Sequence, residues 1–93
     1  MEIEFKTQEL LDYFQCRYSG KQPFSDMVLE GFRSVVTKMI EAENIVILSK
    51  FRSLNIEKYK DHWSARINKQ FRIEFEFIKP NTIFILKISK HYE

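Results

Sequence analysis

The stretch at residues 71–78, FRIEFEFI, limits the possible fold more than any other part of this chain. Phe71, Ile73, Phe75 and Phe77 recur at every second position, with Arg72, Glu74 and Glu76 between them. A period of two puts the apolar side chains on one face of a β-strand and the charges on the other. Its backbone needs strand neighbours and its aromatic face needs a covering layer. The downstream sequence supplies one neighbour. Lys79-Pro80-Asn81-Thr82 reads as a turn, residues 83–88 (IFILKI) read as a buried strand, and residues 89–93 read as a polar tail. Upstream, residues 63–67 alternate, Asn68-Lys69 suits a hairpin turn, and residues 56–60 make a short strand. From Asn55 onward the chain therefore predicts an antiparallel meander.

The first half predicts the covering layer. Residues 1–6 alternate, with Ile3 and Phe5 on one side, and form a half-buried strand. Thr7 is placed to cap a helix that runs to about Tyr18 and stops at Ser19-Gly20. Leu10, Leu11, Phe14 and Tyr18 mark its apolar face. A longer helix spans residues 25 to about 42, where Val28, Leu29, Phe32, Val35, Val36, Met39 and Ile40 form one broad stripe. Residues 45–51 fit either a strand or a helical turn, and a turn-like connector into the sheet is the expectation. The order is β-α-α followed by the meander, an α+β layout with helices on one sheet face.

The 93 residues suit a single domain with a modest core. Cys16 is the one cysteine. It cannot form an internal disulfide, and with no Cys/His cluster beside it no zinc site is expected. It reads as a small apolar filler on the first helix, in a protein of a reducing compartment. No apolar run approaches the roughly 20 residues of a membrane span, and the N-terminus does not resemble a signal peptide. A cytoplasmic protein without membrane contact is expected. Net charge is +2, unevenly spread. Residues 1–49 hold five Lys/Arg against eight Asp/Glu, and residues 50–93 hold ten against five. A basic half is either the electrostatic footprint of a phosphate-bearing ligand or a solvated lysine-rich surface.

Chemistry must come from few residue types. With two glycines there is no phosphate-cradling Gly-rich loop, and with two histidines no histidine metal site is expected. Neither a metal nor a cofactor is expected. Lys58, Lys60, Arg66, Arg72, Lys90, His91 and Tyr92 are the polar residues that could share the outer sheet face. Arg72 interrupts the core aromatics, and its guanidinium can fork onto a phosphate and hold developing charge. It also reads as an outward residue paired with Glu74 or Glu76. His91 suits proton transfer near neutral pH, or belongs to a frayed tail. His62 and Trp63 read as structural.

Segment 63–75, WSARINKQFRIEF, resembles a signature of the HigB branch of the RelE/ParE toxin superfamily: Trp-Ser-x-Arg-Ile-Asn-x-Gln, an aromatic, Arg, Ile or Leu, x, Phe. The ending Ile88-Ser89-Lys90-His91-Tyr92 is similar to the family's closing Tyr-His in reversed order. Residues 54–61 resemble a shortened form of its Leu-x-x-Leu-Lys-Gly segment. Where many members carry a His ahead of that lysine this chain offers Asn55 and Glu57, and Asp61 stands for the Gly. The resemblance implies a RelE-like fold and a metal-free, ribosome-dependent endoribonuclease that cleaves mRNA. It implies a HigA-like helix-turn-helix antitoxin as partner, with the ribosome and mRNA. Arg72 matches the catalytic arginine, Lys60 the phosphate-binding lysine, and His91 and Tyr92 the pair linked to proton transfer. Lys58, Arg66 and Lys90 would hold RNA by charge. Two alternatives remain: a ParE-type inhibitor of DNA gyrase, and a non-catalytic antitoxin-binding module.

Overall fold

The computed structural model of the chain describes residues 1–90. The aromatic-rich segment forms β4 (Phe71–Lys79), between β3 (Trp63–Arg66) and β5 (Thr82–Lys90). β2 (Glu57–Lys58) flanks β3 at one edge, and β1 (Glu2–Phe5) joins β5 at the other. The order is β1-β5-β4-β3-β2. The meander is antiparallel as expected, and β1 runs parallel to β5, which makes the sheet mixed. Ile73, Phe75, Ile83, Ile85 and Ile88 pack with the helical residues Leu29, Phe32, Val36 and Met39 in one core. Burying each such side chain contributes about 1.5–3 kcal/mol.

The helices follow their caps. α1 (Gln8–Gln15) starts where the Thr7 hydroxyl accepts the Leu10 N–H at 3.3 Å. It ends three residues short of Tyr18, because Cys16 takes a left-handed backbone (φ 58°) and returns its N–H to the Asp12 carbonyl. Cys16 is exposed, not the filler expected. Tyr18 still packs on the core from beyond the helix. α2 (Asp26–Glu41) starts at Ser25, whose hydroxyl accepts the Val28 N–H, and buries the expected stripe except Ile40, which is exposed. Gly31 brings α2 close to the β3–β4 connection: a Cβ there would lie 2.6 Å from Ile67 Cγ2.

Residues 45–51 are not a plain connector. The Asn44 side chain caps a third helix, α3 (Ile45–Ser49), which buries Leu48 and is followed by a 3-10 turn at Arg52–Leu54. Asn68 makes the β3–β4 turn, its Oδ1 accepting the N–H groups of Gln70 and Phe71. Pro80-Asn81 makes the β4–β5 turn, with Asn81 at φ 61°. The segment read as a polar tail is strand as far as Lys90.

Register then positions the outer face. Glu74 pairs with Lys87 but Phe75 with Ile85, which leaves Leu86 as the extra residue of a β-bulge. The bulge resets the alternation, so Ile85 and Ile88 both reach the core while Lys87 and Ser89 stand opposite Glu74 and Arg72. Among the described residues no helix is long and apolar enough to cross a membrane.

Candidate functional site

The sheet face turned away from the helices holds a groove of about 560 Å³. Register puts Ser64 opposite Glu74, Glu74 opposite Lys87, and Arg72 opposite Ser89. The β2–β3 connection adds Tyr59, Lys60, Asp61 and His62, and Lys90 completes the lining. Four cationic side chains, Lys60, Arg72, Lys87 and Lys90, thus face two carboxylates, Asp61 and Glu74.

Arg72 points away from the core, yet only 6% of it is exposed. Residues 55–57 fold over it. Its Nη1 donates to Ser64 Oγ at 3.2 Å and to the Asn55 carbonyl at 3.3 Å, and its Nη2 donates to Glu57 Oε1 at 3.1 Å. Asn55 takes a left-handed backbone (φ 43°), and its side-chain amide donates to the same Glu57 oxygen. Neither Glu74 nor Glu76 is the partner: Glu74 is engaged by His62 and Lys87 instead. The result is a planar cation held rigidly in a partly enclosed setting, where its field is screened less than at an open surface.

His62 lies between two carboxylates. Its Nδ1 is 2.7 Å from Asp61 Oδ1 and its Nε2 is 2.8 Å from Glu74 Oε1. Only the protonated ring can donate at both nitrogens. The hydrogen bond to Asp61 pushes the His62 pKa up, aided by the charge of Glu74, while partial burial opposes it. The same hydrogen bond holds Asp61 below the usual carboxylate range. The Tyr59 ring stacks on the imidazole, with centroids 5.1 Å apart and planes 29° apart, and the Tyr59 hydroxyl donates to Glu57 Oε2 at 3.4 Å. Lys60 is exposed and has no ion-pair partner among the described residues.

The residues singled out from the sequence divide accordingly. Lys60, Arg72 and Lys90 share the groove. Arg66 stands opposite Arg72 on the same face, but its Nε donates to the Asn68 carbonyl and it does not line the groove. Lys58 is on the other face: it pairs with Trp63, which pairs with Phe75, and its ammonium sits 5.4 Å from the Trp63 ring centroid. Cross-strand partners share a face, so Lys58 joins the apolar side at the sheet edge. His91 and Tyr92 lie outside the described residues.

Sequence reasoning missed Glu57, Asp61, His62, Glu74 and Lys87 as site residues. Glu74 carried a usable signal, since it lies two positions from Arg72 in the same strand. Lys87 carried none, because the bulge at Leu86 shifts its face. His62 signalled only through its neighbours Asp61 and Lys60. No protein-family model matches this chain, and no curated protein matches it significantly.

Proposed function

We propose that this protein is a RelE-like toxin of the HigB type, a ribosome-dependent endoribonuclease that cleaves mRNA without a metal and is neutralised by a helix-turn-helix antitoxin. The observation that supports it is the convergence of Lys60, Arg72 and Lys90, three residues 12 to 30 positions apart, in one groove on the helix-free sheet face. In this reading the ribose 2′-oxygen attacks the adjoining phosphate and the bond to the 5′-oxygen breaks. Arg72 and Lys60 stabilise the charge on the phosphorane. One proton leaves the 2′-hydroxyl and another reaches the 5′-oxygen, the exchange the resemblance gives to His91 and Tyr92. Arg66 and Lys87 add to the attraction for RNA, and Lys58 has no part in it.

A second reading, a non-catalytic protein-binding module such as a gyrase inhibitor, is favoured by one feature: Arg72 is buried and committed to Glu57, Ser64 and Asn55. Induction of Arg72→Ala and Lys60→Ala in growing cells separates the two. The nuclease reading expects growth arrest to be lost in both variants while each still accumulates as a folded protein. Full toxicity of both would favour protein binding.

A further inference from the structure

Tyr59 is not used by the reading above, and it stands out. Of the described residues, it and Phe51 are the only aromatics among the strongly exposed large side chains, and Tyr59 alone of the two lines the groove. The residue is 41% exposed. Solvation of so much aromatic surface is unfavourable, and the ring is not free to fold away. One face rests on the imidazole of His62, its backbone N–H donates to the His62 carbonyl at 2.8 Å, and its hydroxyl donates to Glu57. His62 is itself pinned by Asp61 and Glu74. The ring is therefore fixed before any ligand arrives, so stacking on it costs little conformational entropy.

The surroundings point to a ligand. Glu57 binds the Tyr59 hydroxyl with one carboxylate oxygen and the Arg72 guanidinium with the other. The aromatic ring and the buried cation are thus separated by a single carboxylate, a spacing within one nucleotide. Lys60, the next residue in the chain, supplies an exposed ammonium on the same rim. A flat apolar surface beside fixed positive charge matches a nucleobase and its phosphate, the pairing used by single-strand binding surfaces.

We propose that the stacked Tyr59–His62 pair is a seat for one nucleobase of single-stranded RNA, next to the phosphate held by Arg72 and Lys60. The proposal rests on the nucleic-acid reading above and adds a subsite to it. Every base has a π-face, so the seat accepts any base and favours the larger purines. Tyr59 is a binding residue here, with no share in proton transfer.

The test is titration of the purified protein at low salt, to millimolar ligand, with two probes. One is an adenylyl-adenosine dinucleotide made uncleavable by a 2′-deoxy sugar. The other is the matching abasic sugar phosphate of equal charge. Tyr59→Phe keeps the ring and its stack on His62 while losing the tie to Glu57, and is expected to bind the dinucleotide more tightly than Tyr59→Leu does. Tyr59→Leu is expected to bind it about ten-fold more weakly than the wild type, from the usual worth of one base–aromatic stack, and to bind the abasic probe unchanged. The wild-type protein provides a readout independent of any variant's folding: the adenine protons should shift upfield in NMR spectra as they meet the ring, with reciprocal shifts at Tyr59. Equal affinity of the wild type for both probes, or unshifted adenine protons at saturation, would overturn the seat and leave the nuclease reading standing. Binding of neither probe would overturn both.

Discussion

At the scale of single residues, the site is a set of charges that depend on one another. His62 has a raised pKa and Asp61 a lowered one, both through their shared hydrogen bond. A group whose folded pKa is raised contributes stability that is complete below its unfolded value, roughly 6.5 for His, and is lost as pH rises through the folded value. The Asp61 contribution runs the other way, present above the ordinary carboxylate value and lost as pH falls through its lowered one. Urea midpoints are expected to decline as pH rises above about 6.5, and His62→Gln is expected to flatten that decline. An unchanged slope in the variant would show that His62 is not the titrating group. Arg72→Ala should cost about 1–3 kcal/mol, because it removes the donor to the buried Ser64 hydroxyl. Arg72→Lys should recover little activity, since a point charge cannot serve Ser64, Asn55 and Glu57 together. Equilibrium unfolding read beside growth arrest checks both variants. The outward direction of Arg72 was legible from its place in an alternating strand. Its burial was not, because that depends on residues 55–57 folding over it from seventeen positions away.

At the scale of elements, period and capping account for most of what forms. α2 and β4 were legible because their apolar spacing is long and regular, so one misread position changes little. The end of α1 was not, since the left-handed turn at Cys16 is a backbone choice that no apolar pattern marks. α3 was not either: its five residues are too few to show a period, and it depends on the Asn44 cap and the burial of Leu48. The bulge at Leu86 escaped for a related reason, because a single extra residue is visible only once the partner strand fixes the register. Gly31 gives this scale its test. A methyl group there would press on Ile67. Overpacking costs about 1–3 kcal/mol, against a gain of about 1 kcal/mol in helix propensity, so Gly31→Ala is expected to lose about 1 kcal/mol on balance. Adding Ile67→Ala should cancel the overpacking part, which a double-mutant cycle in urea measures directly. Additive losses would mean that the helix does not press on that turn.

At the scale of the whole molecule, the sheet divides the labour: the helices cover one face and fill the core, which leaves the other face to carry charge. The α+β class, the strand order of the meander and the basic second half were legible from pattern alone. The groove was legible only in part, because the strands and the β2–β3 connection contribute to it from positions 59 to 90. If Lys60, Arg72, Lys87 and Lys90 meet phosphates, the affinity for single-stranded RNA should fall with salt at a log–log slope of about −2 to −3, and Lys60→Ala should reduce that slope by about 0.7. A slope near zero would remove the electrostatic basis of the site. The most direct measurement is brief induction of the protein in growing cells, followed by mapping of RNA 5′ ends. New 5′-hydroxyl ends should appear within translated regions of mRNA and be absent with Arg72→Ala. Growth arrest by the wild type without new mRNA ends, or with DNA breaks in their place, would contradict the account.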